Sequence, residues 1–154
     1  MQKHLRIFVL SGAALLAVNA FAQALTPIEI VPHKAAYVFE TVSVESGAGV
    51  ADVTGGMTFE WTDACEGWAL NQHYLLRISG SDGSGTDIST SNVTWEAKNG
   101  LRYRFNIKRG RNGTLVEDLR GDAKLDAEGA AGSVKFKKPD SQTIKLPAGT
   151  KFPT

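Results

Sequence analysis

Three long segments of this chain alternate between apolar and polar residues with a period of two. Met57, Phe59 and Trp61 alternate with threonine and glutamate, while Tyr103 and Phe105 alternate with arginine and asparagine. Successive side chains of a β-strand point to opposite faces of a sheet, so this period of two indicates strands and not helices. Strands with one dry face and one wet face are typical of antiparallel sheets.

The predicted apolar face is rich in aromatic and long aliphatic side chains. The residues expected to share it, as the lining of a core or a cavity, are Met57, Phe59, Trp61, Trp68, Tyr74, Leu76, Tyr103 and Phe105. Core packing is the usual role of such a face. A cavity that holds a lipid is the second interpretation, and the alternation itself is compatible with both.

Weaker strand signals fill the rest of the chain. They lie at residues 35–45, 88–97 and 115–125, and around Val134 and Ile144. Turn-forming pairs such as Asp82-Gly83 and Asn99-Gly100 separate them, at intervals of about 8–15 residues. This rhythm predicts an all-β meander or barrel.

The first segment of the chain has the pattern of a secretory signal peptide. Two bases and no acid in residues 1–6 precede an apolar run at 7–18. Ala20-Phe21-Ala22 and Ala22-Gln23-Ala24 then place small residues at the positions that precede a cleavage site. The run is shorter than the ~18–20 apolar residues that a membrane span needs. We therefore expect cleavage after Ala22 or Ala24 and export. The predicted organisation is a signal peptide at residues 1–24 and a single β domain at residues 25–154.

The charge balance argues against nucleic acid as a partner. Lysine and arginine number 17, aspartate and glutamate 16, and the formal net charge is +1, whereas nucleic-acid-binding domains are usually strongly basic. A basic strip does occur, formed by Arg102, Arg104, Lys108, Arg109 and Arg111, with Lys135, Lys137 and Lys138 later. Its neighbouring aromatic residues are predicted on the opposite face, so they offer no stacking platform. A solvated face or edge protection is the ordinary interpretation, and contact with anionic lipid headgroups is the alternative.

The single cysteine, Cys65, lies in the predicted turn between the two strongest strands. In an exported protein it is interpreted first as half of a structural disulfide, with a free buried thiol or a catalytic or metal-binding role as alternatives. His33 and His73 stand in no recognisable motif, and His73 is expected on the wet face. The acidic residues show no recognisable catalytic pair. The sequence indicates no catalytic residue, no metal site and no cofactor.

Several short motifs occur in an order that resembles a known family. They are Pro32-His33-x-Ala35-x-Tyr37, Cys65-Glu66-Gly67-Trp68, Phe105-Asn106-Ile107, Lys137-Lys138-Pro139, and Leu146-Pro147 followed by Phe152-Pro153-Thr154. Together they are similar to the EipB-type cell-envelope integrity proteins of Gram-negative bacteria, from about Pro32 to the last residue.

The resemblance implies a periplasmic, non-enzymatic protein that supports the cell envelope. Its fold would be an antiparallel sheet curled into an open barrel or β-spiral. Lipoprotein carriers have a similar outline, so carriage of a lipid or acyl chain is the alternative function. An envelope protein, a lipid or an anionic membrane surface is the expected partner, and the oligomeric state stays open. The resemblance also implies that Cys65 pairs with a cysteine in the C-terminal half of family members, beyond Thr154, so the chain is expected to be the N-terminal portion of a longer domain.

Overall fold

The computed structural model of the chain describes residues 30–153. The predicted signal peptide and its cleavage site lie outside the described residues. Within residues 30–153 all regular structure is β-structure, and no helix there is long and apolar enough to cross a membrane.

Eight antiparallel strands form one sheet in which each strand pairs with its neighbours in chain order. The strands are β1 (His33–Phe39), β2 (Val50–Asp63), β3 (Gly67–Gly80), β4 (Gly85–Ala97), β5 (Arg102–Arg111), β6 (Thr114–Leu125), β7 (Gly132–Lys138) and β8 (Gln142–Leu146). The first and last strands do not pair with each other, so the sheet is open. This confirms the predicted all-β class and the unclosed antiparallel sheet.

Cross-strand register gathers the apolar residues of neighbouring strands on one side of the sheet. Trp61 lies opposite Leu70 across β2 and β3, and Phe105 lies opposite Gly121 across β5 and β6. Because residues directly opposite each other share a face, one row continues from β2 through β6 without changing side. We call this side the apolar face and the other the polar face. The alternation predicted the two faces of β2, β3 and β5 correctly.

Tight turns join the strands where glycine follows a polar residue. Asn112 and Gly113 both have positive φ, 50° and 77°, which is the backbone of a two-residue hairpin turn whose twist matches that of the strands. Asn112 also ties the turn to β4, since its N–H donates to the Asp87 carbonyl and its side-chain oxygen accepts from the Asp87 N–H, both at 2.8 Å.

The predicted first strand is shorter than expected. The sequence pattern extended it over residues 35–45, but β1 ends at Phe39. Beyond Phe39 a side chain replaces the backbone hydrogen bonds to β2. The Thr41 hydroxyl accepts from the Val53 N–H at 2.6 Å and donates to the Val53 carbonyl at 3.0 Å. The positive φ of Gly47, 86°, then turns the chain into β2.

Burial is concentrated at one end of the apolar face. The buried apolar residues of this face are Trp68, Ala123, Leu125 and Val134, whereas Ala97, opposite Gly67, is buried on the polar face. Among the described residues no large side chain is fully buried, and most of the predicted apolar face is only half-buried. A single sheet has nothing on its apolar side to pack against, so its face keeps contact with solvent unless a second layer covers it.

Candidate functional site

Stacked rings cover the apolar face of the first three strands. His33, Phe59, Trp61 and Trp68 form a continuous file with centroid separations of 5.2, 6.4 and 6.0 Å. We call these four residues the first ring cluster. The spacing follows from the register, since His33 lies opposite Trp61, and Phe59 and Trp61 are two residues apart on β2. Offset stacking at these distances is favourable.

The first ring cluster is open on the side of β1. His33 is exposed, and Tyr37, which shares this face opposite Met57, keeps 46% of its surface exposed. At the other end Lys98 packs on the last ring of the cluster. Its ammonium lies 4.7 Å from the centre of the Trp68 ring and 2.9 Å from an Asp63 carboxylate oxygen. The open end therefore presents aromatic surface along an edge strand.

A second ring cluster occupies the same face on β5 to β7. Tyr103 stacks on Phe105 at 6.0 Å, and Phe105 meets Phe136 edge-on at 5.5 Å. The chain covers this cluster itself, because Phe152, from the segment after β8, stacks on Tyr103 at 5.4 Å. Gly121 makes the approach possible, since a Cβ there would lie 2.6 Å from the Phe105 ring.

A polar stripe on β4 separates the two ring clusters. Thr90, Thr94 and Glu96 are buried with 7%, 8% and 4% of their surfaces exposed, and Asn92 stands between them on the same face. Thr94 lies between Leu70 and Phe105, and Glu96 between Trp68 and Tyr103. Burying polar groups is costly unless they find hydrogen-bond partners, so this stripe is an unusual lining for an apolar face.

The polar stripe changes the chemistry of the second ring cluster. Burial raises the pKa of the Tyr103 phenol, a hydrogen bond with Thr94 opposes this shift, and the negative charge of Glu96 adds to it. Tyr103 therefore remains a neutral hydrogen-bonding group between the stripe and the rings.

Some polar atoms of this face find no hydrogen-bond partner within residues 30–153. They are Trp61 Nε1, Thr90 Oγ1 and Asn92 Oδ1. By contrast, the Gln72 amide donates to the Met57 sulfur at 3.0 Å. The face thus combines aromatic surface with one unpaired donor, one unpaired acceptor and one hydroxyl that can act as either. Such a surface can bind a molecule that is mostly apolar but carries a few polar groups.

Cys65 lies at the tip of the turn between β2 and β3. It is exposed and has a positive φ of 62°, and the Ala64 N–H donates to the Gly67 carbonyl at 2.9 Å across the turn. Within residues 30–153 the thiol is thus exposed and not buried. The chain holds no second cysteine, so pairing with a cysteine outside it stays a prediction.

The two histidines of the β domain lie apart. His73 is exposed on the polar face opposite Thr58 and Ser91, the side that the alternation predicted. His33 joins the first ring cluster and its Nδ1 lies 2.8 Å from the Val31 carbonyl oxygen. Within residues 30–153 no three His, Cys, Asp or Glu side chains come together as a metal site.

The structure brings together the residues predicted for the apolar face and adds others. Met57, Phe59, Trp61, Trp68, Tyr74, Leu76, Tyr103 and Phe105 all lie on that face. Sequence reasoning missed the polar stripe, and it missed Phe136, Phe152 and His33 as members of the ring clusters. The sequence does contain a signal for the stripe. Counting residues back from Tyr103 and Phe105 through the Asn99-Gly100 turn places the even-numbered residues of β4 on the apolar face.

The polar face differs between the two halves of the sheet. On β1 to β4 it mixes hydroxyl-bearing and apolar side chains, and its bases face acids: Lys34 lies 2.8 Å from Glu60, and Arg77 lies 3.6 Å from Asp87. On β5 to β8 bases predominate. Arg104 there lies 4.9 Å from the centre of the Trp95 ring, which places Trp95 on the polar face.

Known proteins share both the sequence and the fold. The EipB-like family model matches residues 24–154. The cell envelope integrity protein EipB of Brucella abortus is 33% identical over 134 residues, which cover 86% of this chain and 47% of that protein.

A solved structure agrees with the sequence match. The crystal structure of a β-barrel-like protein of unknown function from Brucella abortus superposes with a TM-score of 0.73 at 31% identity, over 82% of this chain and 52% of that one. The chain thus spans about half the length of the relatives it matches. From its motifs, its open antiparallel sheet and these matches, we conclude that the chain belongs to the EipB-like family.

Proposed function

We propose that this protein is exported to the periplasm, where it supports the integrity of the cell envelope as a non-enzymatic interaction protein. The observation that carries the proposal is the exposed end of the first ring cluster, where His33 and the neighbouring Tyr37 lie on the edge strand β1. Exposed aromatic surface bordered by polar groups is typical of a surface that contacts a partner. The name of the Brucella relative supports an envelope-related role.

The experiment that tests this role is deletion of the gene in the organism that encodes it. We expect the deletion strain to become sensitive to detergent and to large antibiotics that an intact envelope excludes. A plasmid copy of the full gene should restore resistance, whereas a copy lacking residues 1–24 should not, because its product would not be exported. Unchanged resistance in the deletion strain, or rescue by the leaderless copy, would contradict the proposal.

Carriage of a lipid or lipoprotein acyl chain is the second candidate function. The observation that favours it is the combination of half-buried rings with the unpaired polar atoms of Trp61, Thr90 and Asn92 on one face. An acyl chain could lie on the rings while the polar atoms meet its carbonyl or headgroup. Native mass spectrometry of the full-length protein purified from membranes should then show retained acyl-chain masses. Their repeated absence, with no uptake of lipid in solution, would exclude the carrier.

A disulfide at Cys65 is part of the proposal. Its support is the family resemblance and the exposed position of the thiol at the tip of a turn, where a second segment can reach it. We expect the full-length exported protein to show no thiol labelling at Cys65 until a reductant is added. Quantitative labelling without reductant would overturn the pairing.

A further inference from the structure

The basic residues of β5 to β8 form a continuous field on the polar face. Nine exposed bases of these strands lie on this face: Arg102, Arg104, Lys108, Arg120, Lys124, Lys135, Lys137, Lys138 and Lys145. The acids on this side of the same strands are Asp118 and Asp122. The field spans three strand intervals, about 14 Å. Charges on neighbouring strands act together, because the strands lie about 4.8 Å apart and the Debye length is ~10 Å at ~0.1 M salt.

Both acids are already paired. Asp118 accepts a hydrogen bond from Lys138 at 2.7 Å, and Asp122 contacts Lys137 and lies 3.7 Å from Arg104. Among the described residues, no ion pair involves Arg102, Lys124, Lys135 or Lys145. These four cations therefore remain available to an anionic partner.

Two bases of this field lie directly opposite each other in the cross-strand register. Arg102 lies directly opposite Lys124, and Ser133 then separates Lys124 from Lys145 along the same row. Like charges directly opposite each other destabilise a sheet. The polar face of the other half avoids this, because Lys34 lies opposite Glu60 and Arg77 opposite Asp87.

Edge protection does not account for the row. Lysines on an edge strand discourage pairing with other chains, and this explains Lys145 on β8. Arg102 and Lys124 lie on interior strands that are paired on both sides. Their charges therefore serve some purpose other than protection of the edge.

We infer that the polar face of β5 to β8 docks on an anionic lipid bilayer. The bases are spread over four strands and do not converge on one point, which suits a plane of many phosphates better than a single anion. Lysines and arginines close to an anionic membrane are attracted to it, and each adds to the affinity of the protein for the membrane. The inference rests on the proposed periplasmic location for its biological setting, but its test does not.

The test is co-sedimentation of the full-length exported protein with vesicles. One set is phosphatidylcholine alone, and the other is two parts phosphatidylcholine to one part phosphatidylglycerol. We expect binding to the anionic vesicles to be about tenfold tighter or more, and to be lost when salt shortens the screening length. Equal binding to both sets, or binding that survives high salt, would overturn the inference. Competition by millimolar inorganic phosphate would point to a single-anion site and would also overturn it.

Two triple variants locate the surface. Replacing Arg102, Lys124 and Lys145 by glutamine should remove most of the binding. The matched control replaces Lys34, Arg77 and Lys151 by glutamine, which removes the same charge outside β5 to β8. Its affinity for the vesicles should stay within about twofold of the wild type, since the unpaired cations of β5 to β8 are intact. Equal losses in both variants would mean that net charge alone is responsible.

Folding of the variants is checked by thermal melting. The first triple variant should melt no lower than the wild type, because it removes a like-charge contact. A charge-preserving variant, Arg102→Lys with Lys124→Arg and Lys145→Arg, should bind as the wild type does, and loss of binding there would contradict a purely electrostatic surface. A protein that fails to bind vesicles but whose deletion still weakens the envelope would refute this inference and leave the proposed function standing.

Discussion

The two ring clusters lie on the same face of one sheet but differ in how they are covered. The second is closed by the chain's own residues, with Phe152 stacked on Tyr103 and with Leu125 and Val134 buried nearby. The first ends at an edge strand where His33 and Tyr37 are exposed. The same alternating pattern can therefore form a covered core or an open aromatic surface, depending on whether a later segment of the chain packs on it.

The largest difference between the two regions should appear in stability. Leu125 is 3% exposed beside the second cluster, whereas Tyr37 is 46% exposed beside the first. We expect Leu125→Ala to lower the free energy of unfolding by about 3 kcal/mol, because it leaves a cavity. Tyr37→Ala should cost less than about 1 kcal/mol. Urea unfolding of the full-length protein measures both, and equal losses would remove the distinction between core and contact surface.

The second prediction concerns the close approach within the second cluster. A Cβ on Gly121 would lie 2.6 Å from the Phe105 ring and 2.7 Å from the Lys135 carbonyl oxygen. Gly121→Ala should therefore cost about 2 kcal/mol through overpacking. Gly56→Ala is the matched control, since its Cβ would meet only the Tyr37 carbonyl oxygen at 3.3 Å, and it should change stability by less than about 0.5 kcal/mol. Similar effects from the two alanines would show that the second cluster is loosely packed.

A smaller effect is expected at the closed end of the first cluster. Lys98 contacts both the Trp68 ring and the Asp63 carboxylate, so Lys98→Gln should lower the free energy of unfolding by about 0.5–1 kcal/mol. Lys34→Gln breaks only an exposed ion pair with Glu60 and should cost less. Chemical denaturation at low and high salt separates the contributions, because salt weakens the ion pairs more than the ring contact. A larger cost for Lys34→Gln would argue against a role for the ring contact.

The smallest effect should appear only at alkaline pH. Burial raises the pKa of Tyr103, so the folded protein holds this proton more tightly than the unfolded chain does. Its contribution to stability is therefore complete below the unfolded pKa of about 10 and is lost as the pH rises through the folded value. Tyr103→Phe should remove this part of the alkaline decline, as shown by urea unfolding from neutral pH upwards. An identical decline in the variant would mean that Tyr103 is not shielded from solvent.

The sequence predicted the strands and faces that alternate strictly, and it failed where polarity and burial disagree. Phe59 and Tyr103 are easy to place, because large rings at every second position of a strand indicate its apolar face. Thr90 and Thr94 resemble solvent-facing residues, yet register places them between apolar neighbours. Trp95 resembles a core residue, but it lies on the polar face, where the missing side chain of Gly67 leaves room for its ring.

The membership of the two ring clusters depends on contacts between segments that are distant in the sequence. His33 joins the first cluster only because β1 pairs with β2 in a particular register, and Phe152 reaches Tyr103 only after the chain has passed β8. Such contacts depend on how distant segments meet, so a single sequence read by periodicity does not reveal them.

We propose that the open first ring cluster, and not the whole apolar face, contacts the partner in the envelope. Tyr37 and Ile144 test it as a matched pair, because each is 46% exposed on this face, one at each edge of the sheet. In the deletion strain, a gene carrying Tyr37→Ser should fail to restore resistance to detergent, while one carrying Ile144→Ser should restore it, with both proteins at wild-type abundance. Full resistance with Tyr37→Ser, or equal loss with Ile144→Ser, would contradict the claim.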